Sequence, residues 1–147
     1  MARLWLALLL LVAAPAAVAA AEPETRIELY TMGSGDDVFE AFGHSALCVL
    51  DARHPRGVCY NYGTSDFTDP VRLIWEVLRG RARFWVARMP LPLMIEAYTE
   101  DDRSIYRQKL ELAEEPARKL AARLEEDLRP ENKYYTYHHY QIGRAHV

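Results

Sequence analysis

The sequence predicts an α+β domain built on a mainly antiparallel sheet. Short stretches rich in β-forming residues recur along the chain, a Pro- and Gly-containing turn joins two of them, and amphipathic helical stretches separate the others. The chain has 147 residues, of which 50% are hydrophobic, and a net charge of −3. This composition suits one globular domain and excludes a disordered tail, and the mixed charges indicate no nucleic-acid binding.

The first half of the chain contains three predicted strands. Arg26–Met32 has apolar residues at alternate positions, and a glycine-rich turn leads from it into a short helical patch, Asp37–Phe42. His44–Leu50 and Val58–Tyr62 are rich in β-forming residues. Asp51–Gly57 lies between them and supplies Pro and Gly, so we expect these two strands to form a hairpin.

A helix is predicted after the hairpin. Asp69 is suited to the N-cap, Pro70 to the first helical position and Gly80 to the position after the end. One stripe of this helix is apolar and is expected to face the core; it consists of Val71, Ile74, Trp75 and Leu78.

The second half alternates strands and helices. The predicted strands are Arg83–Met89, Ser104–Leu112 and the aromatic-rich Tyr134–Tyr140. The predicted helices are Leu91–Tyr98, entered through Pro92, and Glu115–Arg129, ended by Pro130. Trp75, Phe84 and Trp85 offer apolar surface that could receive a lipid tail, but packing in the core is the favoured interpretation.

The first 21 residues are typical of a secretory signal peptide. Arg3 precedes the apolar run Leu4–Val12, Pro15 follows, and the small residues of Ala17–Ala21 offer a cleavage site. The run is shorter than the ~20 residues that a membrane-spanning helix needs. An uncleaved anchor is the alternative. We therefore expect an exported protein whose mature domain covers residues 22–141.

The last six residues, Ile142–Val147, are a direct translation of ATC-GGA-AGA-GCA-CAC-GTC. This string matches a common sequencing adapter, so we expect residues 142–147 to be an artefact rather than part of the fold. A natural hexapeptide is the alternative. On the first interpretation the natural protein continues beyond Gln141.

The hairpin places two pairs of notable residues side by side. If Leu50 pairs with Gly57, then Cys48 lies opposite Cys59 and Ala46 lies opposite Asn61. His44 then becomes a diagonal neighbour of Asn61 on the same face, with the backbones ~7–8 Å apart. An imidazole oriented by a carboxamide is one half of a nucleophilic triad, although a buried His–Asn pair can also be purely structural.

The remaining histidines and the cysteines carry weaker signals. His54 lies in a turn, and His138 and His139 lie in the terminal aromatic strand, where structural or surface roles are expected. Cys48 and Cys59 either form a cross-strand disulfide or remain two buried thiols. Neither is expected to be a nucleophile, because both lie in mid-strand and not at a helix N-terminus. No metal or cofactor site is predicted.

Several sequence elements resemble the Lnb N-terminal periplasmic domain family. They are Phe42–Ala46, Tyr60–Gly63, Arg79–Arg81, Arg103-Ser104 and Tyr134–Tyr140. The F-G-H and Y-N-Y-G elements are fairly specific in combination, and the resemblance runs from about Ile27 to Gln141. In that family an Asp-Asn-Cys motif follows the aromatic strand and opens a helix. The present sequence departs from the family at Ile142.

The resemblance implies both a fold and a chemistry. Members of the family are implicated in N-acylation of bacterial lipoproteins, and the layout is similar to the permuted papain-like fold of the lecithin:retinol acyltransferase family. There a His, a polar residue on the neighbouring strand and a later Cys form the site. His44 and Asn61 match the first two positions, as general base and orienter. The resemblance implies that the third lies beyond Gln141 and that the chain is truncated and inactive by itself.

Three functional hypotheses follow. The first is a thiol-dependent acyltransferase of the Gram-negative periplasm, with a phospholipid as acyl donor, a lipoprotein as acceptor and contact with a membrane surface. The second is a papain-like cysteine peptidase or cell-wall amidase, because the same His–Asn pair serves both. The third is a non-catalytic binding module of the envelope.

Overall fold

The computed structural model describes residues 24–36 and 40–136. These residues form six strands and four helices, in the order β1 (Arg26–Met32), β2 (His44–Leu50), β3 (Val58–Thr64), α1 (Pro70–Leu78), β4 (Arg83–Pro90), α2 (Leu91–Glu100), β5 (Ile105–Lys109), α3 (Glu114–Glu126), α4 (Pro130–Lys133) and β6 (Tyr134–Thr136). The strands form one antiparallel sheet in the order β5-β1-β2-β3-β4-β6. The predicted α+β class with an antiparallel sheet is confirmed.

Helix α3 covers one face of the sheet. Its buried residues Ala117, Ala121 and Leu124 pack against residues of β1, β2, β3 and β4 in one apolar cluster. Small residues on α3 let the helix axis approach the strands closely, and the larger side chains come from the sheet. The apolar side of this helix therefore faces the core.

A polar cluster fastens α3 to the sheet at the edge of this apolar face. The Tyr60 hydroxyl donates to Glu125 Oε1 at 2.5 Å, and Arg88 Nη1 donates to both carboxylate oxygens at 3.1 Å. Burial of Glu125 opposes its ionisation, but the Tyr60 hydrogen bond and the Arg88 charge outweigh burial and lower the pKa of this carboxyl. Burial and the same hydrogen bond raise the pKa of Tyr60.

Helix α2 packs on the opposite face. Leu91 and Met94 bury their side chains against a second cluster that contains Cys48 and Cys59. Because residues two apart on a strand share a face, this is also the face of His44 and Asn61. Helix α3 thus covers one face of the sheet, and the predicted site lies on the other face.

The β2–β3 hairpin has the register expected from the sequence. Cys48 pairs with Cys59, and Ala46 pairs with Asn61. A disulfide joins the two cysteines, with their Cα atoms 4.0 Å apart. The covalent bond lies in the buried cluster under α2, two residues along the strand from Asn61. It therefore holds the paired strands together next to the predicted site.

Helix α1 begins and ends as predicted, but its apolar stripe faces solvent and not the core. The Asp69 side chain accepts from the Arg72 backbone N–H at 3.0 Å, and Gly80 follows the end with a positive φ of 63°. The side chain that α1 buries is Leu73, whereas the predicted core-facing stripe is exposed to solvent. That expectation was wrong, because periodicity identifies an apolar stripe and not what covers it.

The remaining differences are local. The predicted strand Ser104–Leu112 is ordered as a strand only over Ile105–Lys109, and Pro130 begins the short helix α4 after it ends the long one. Of the predicted helical patch Asp37–Phe42, the described residues 40–42 form a turn. The signal peptide, His138, His139 and residues 142–147 lie outside the described residues.

We expect the disulfide to contribute measurably to the free energy of unfolding. Replacing both Cys48 and Cys59 by alanine opens a loop with a sequence separation of 11. We expect the free energy of unfolding in urea to fall by about 3 kcal/mol, because the unfolded chain regains loop entropy. Reductant should destabilise the native protein and leave the double variant unchanged. Equal stability of the two proteins would contradict the assignment.

The Glu125 cluster predicts an acid-dependent loss of stability. A lowered carboxyl pKa stabilises the fold above the pKa of the unfolded chain, and this stabilisation is lost as the pH falls through the folded value. The stability difference between native protein and Glu125→Gln should therefore shrink in urea titrations below about pH 4.5. The control Glu96→Gln, on the exposed side of α2, is measured in the same titrations and should change the free energy of unfolding little.

Candidate functional site

A cleft opens on the α2 face at one end of the central strands. It has a volume of about 550 Å³, which is within the range of small-molecule sites. The cleft is lined by Glu40, Gly43, His44, Asn61, Gly63, Thr64, Phe67, Pro70, Ala87, Met89, Tyr98 and Arg103. Both residues predicted as general base and orienter therefore lie in one cavity.

His44 and Asn61 are directly hydrogen-bonded. His44 is the first residue of β2, and its Nε2 lies 3.0 Å from Asn61 Oδ1 on β3. The diagonal neighbourhood expected from the hairpin register brings about this contact, because His44 is two residues before Ala46, the partner of Asn61. The imidazole is half-buried and the carboxamide is buried.

This hydrogen bond determines the tautomer of His44. An amide oxygen only accepts, so the proton lies on Nε2 and Nε2–H donates to Asn61. Nδ1 is then left with its lone pair and can accept a proton. The pair thus has the arrangement of a general base held in orientation by a carboxamide.

The amide nitrogen of Asn61, unlike its oxygen, makes no hydrogen bond with the described residues. Nδ2 is buried and has no hydrogen-bond partner among the described residues. A buried donor left in this way costs about 1–3 kcal/mol. A hydrophobic residue would avoid that cost, so the position is better explained by its contact with His44 than by stability.

Two glycines shape the backbone at the site. Gly43 precedes His44 with a φ of +73°, and a Cβ there would lie 2.6 Å from the Met32 carbonyl oxygen. Gly63 has a φ of +87° and lies where the β3–β4 register shifts between Asn61 and Thr64. Other residues rarely adopt this conformation. Both glycines are therefore needed by the backbone on either side of the pair.

The sequence did not predict a role for Arg103, although Arg103-Ser104 belonged to the family-like elements. Its side chain is only 3% exposed, and Nε and Nη2 donate to the Gly33 carbonyl at 3.0 and 2.8 Å. Nη1 pairs with Glu40 at 3.0 Å. The guanidinium also lies 4.6 Å from the centroid of the Tyr98 ring, whose hydroxyl pKa is raised by burial.

The Arg103 contacts fasten both ends of the segment that leads to His44. Gly33 follows Met32, which pairs with His44, and the Glu40 carbonyl accepts the Gly43 backbone N–H at 2.9 Å. Arg103 therefore holds the chain where β1 ends and where β2 begins. We infer that it is a positioning residue for His44. Sequence analysis did not identify this role because Arg103 lies 59 residues after His44, far from the other motifs.

The other candidate residues lie away from the pair or take no part in it. His54 is in the β2–β3 turn and contacts Asp51 through Nδ1 at 3.1 Å. Both cysteines of the chain are engaged in the disulfide, so the described residues offer no thiol nucleophile. Phe84 and Trp85 are half-buried and contact Tyr135 and Tyr134, whereas Trp75 is 57% exposed and does not pack in the core.

A family model for the Lnb N-terminal periplasmic domain matches residues 17–142. The chain belongs to this family. Membership in a periplasmic domain family implies an exported location, in agreement with the predicted signal peptide. No curated protein and no solved structure gives a significant match. Among the described helices, none is long and apolar enough to cross a membrane.

The role of Arg103 in this Lnb N-terminal domain can be tested without an activity assay. Replacing Arg103 by Gln should remove about 2–3 kcal/mol of stability, because the Gly33 carbonyl loses charged donors. It should also shift the ¹⁵N resonances of the His44 ring. Arg53→Gln, at an exposed ion pair in the hairpin turn, should change neither. If the His44 signals of the two variants are the same, then Arg103 stabilises the fold without positioning His44.

Proposed function

We propose that this domain is the periplasmic part of a thiol-dependent acyltransferase with a permuted papain-like arrangement. The observation that carries the proposal is the 3.0 Å hydrogen bond between His44 and Asn61 at the wall of a 550 Å³ cleft. His44 acts as the general base and Asn61 as its orienter. The cysteine nucleophile comes from chain that follows Gln141 in the natural protein of a Gram-negative envelope.

The first half of the proposed reaction makes a thioester. His44 Nδ1 takes the thiol proton, and the thiolate attacks the acyl carbonyl carbon of a phospholipid ester. As the C–O bond breaks, the imidazolium returns the proton to the leaving alcohol. The enzyme then holds the acyl chain on sulfur, and the released product is a lysophospholipid.

The second half transfers the acyl chain. The amine at the N-terminus of a lipoprotein attacks the thioester carbon, and the C–S bond breaks. The amine loses one proton to His44, which passes it to the departing thiolate. Atoms and charge balance without a metal or a redox partner. Asn61 keeps the ring in the required tautomer through both steps by accepting from Nε2.

The composition of the cleft is compatible with such a substrate. Apolar side chains, among them Phe67, Ala87 and Met89, share the lining with the polar pair. A mainly apolar wall with few oriented polar groups is typical of ligand sites and favours an acyl chain beside a reacting ester. A peptide would need backbone hydrogen-bonding partners along the cleft as well.

The decisive experiment uses the full natural protein, including the segment after Gln141. It is incubated with a phospholipid carrying an isotope-labelled acyl chain, and mass spectrometry detects a hydroxylamine-sensitive thioester. His44→Ala and His44→Gln should lower its formation by about 10²- to 10⁴-fold, the usual contribution of a general base. His54→Ala is the matched control and should retain full labelling, because His54 lies in the hairpin turn.

Two outcomes would overturn the proposal in different ways. Cleavage of peptide or cell-wall amide bonds without a labelled thioester would favour a cysteine peptidase or amidase that uses the same pair. Full function of a folded His44→Ala protein in cells would favour a non-catalytic binding module. Circular dichroism of each variant separates loss of chemistry from loss of fold.

A further inference from the structure

Helix α1 exposes an apolar stripe that faces neither core cluster. Val71, Trp75 and Leu78 are 70%, 57% and 63% exposed, and Ile74 lies among them. At 3.6 residues per turn, the buried Leu73 lies roughly 150° around the helix from the middle of this stripe. Apolar side chains grouped on one exposed face differ from the singly scattered ones that any surface shows.

Arginines surround this stripe. Segment 69–83 contains four arginines and two acidic residues, so it carries a charge of +2 in a chain whose net charge is −3. The remaining residues therefore carry −5. Arg79 lies 5.0 Å from the centroid of the Trp75 ring. A groove of about 490 Å³ is lined by Asp69, Val71, Arg72, Trp75, Glu76, Arg79 and Arg81. Arg72 is paired with Glu76 at 3.0 Å, so Arg79 and Arg81 carry the excess positive charge of this groove.

We propose that the exposed face of α1 docks on the surface of an anionic phospholipid bilayer. A helix with Trp and aliphatic residues on one face and arginines beside them is suited to the boundary between headgroups and acyl chains. The arginine stems can cover apolar surface while their charged ends reach the phosphates. Each arginine near such a surface contributes ~1 kcal/mol.

The charge distribution favours a bilayer over a second copy of this chain. A two-fold contact through the same stripe would bring the arginines of both copies together, and like charges oppose such a contact. An anionic surface instead attracts segment 69–83 and repels the rest of the chain. The protein would therefore approach the bilayer with α1 first.

Because α1 begins at the cleft, docking through α1 would also place the cleft relative to the bilayer. Pro70, the first residue of α1, and Phe67, which shortly precedes it, both line the cavity that contains His44. A protein docked through α1 would thus hold the part of the cleft wall formed by Phe67 and Pro70 near the lipid surface. The docking itself does not depend on the proposed cysteine chemistry.

The test follows the fluorescence of Trp75 in the exported chain. After removal of the predicted signal peptide, which contains Trp5, the substitution Trp85→Phe leaves Trp75 as the reporter. Vesicles of phosphatidylglycerol and phosphatidylcholine should shift its emission to shorter wavelength and protect it from an aqueous quencher. Vesicles of phosphatidylcholine alone should have less effect, and added salt should weaken the binding.

Variants locate the contact. Leu78→Gln should weaken binding to the anionic vesicles roughly tenfold, because an apolar side chain no longer enters the boundary region. Leu93→Gln is the matched control, since Leu93 is 52% exposed on α2 outside the stripe. His44→Ala should bind vesicles normally, so failure of the docking proposal and failure of the catalytic proposal are distinguishable.

Any one of four results would overturn the docking. The first would be that anionic vesicles leave the Trp75 emission unchanged, and the second that Leu78→Gln and Leu93→Gln bind equally well. The third would be a dimer in sedimentation that Leu78→Gln dissociates, because a second copy would then cover the stripe. The fourth would be that Trp75 in the monomer is already protected from the quencher without lipid, because another part of the protein would then cover it.

Discussion

The hydrogen bond between His44 and Asn61 can form in only one register of the β2–β3 hairpin. A shift by one residue would turn one of the two side chains to the α3 face. The disulfide between Cys48 and Cys59 excludes that shift covalently, and the buried pairs beside it exclude it through packing. The geometry of the His44–Asn61 pair is thus fixed by contacts within the eighteen consecutive residues 44–61.

The polar groups around this pair are arranged at some cost to stability. Asn61 keeps a buried amide nitrogen without a partner in the described structure, and Arg103 places a guanidinium at a site that is almost fully buried. Arg103 satisfies its own donors with Gly33 and Glu40, so its charge is compensated. A core built for stability alone would contain apolar residues at both positions.

The two faces of the sheet are covered to different extents. Helix α3 and the Tyr60–Glu125–Arg88 cluster close one face, while α2 covers only part of the other and leaves the cleft beside it. Helix α1 begins at the margin of this cleft and turns its apolar stripe outward. In an exported domain, these features place the His44–Asn61 pair, a cavity and an apolar surface on neighbouring parts of the molecule.

Much of the fold could be predicted from the sequence because the responsible interactions are local. Alternating residues defined β1, the Pro- and Gly-containing turn defined the hairpin register, and Asp69 with Pro70 defined the start of α1. The pairing of His44 with Asn61 followed from counting residues back from that turn. The family-like motifs lie on the same local elements, and the family match covers them.

Tertiary structure decided what depends on contacts between distant residues. The outward orientation of the α1 stripe depends on which element packs against Leu73, and hydrophobic periodicity contains no such information. Arg103 reaches Gly33 across 70 residues, a contact without any signal in its neighbouring residues. The sequence alone therefore determined the hairpin and its His–Asn pair through spacing, whereas long-range packing determined the cleft around them and the face of α1 that meets solvent.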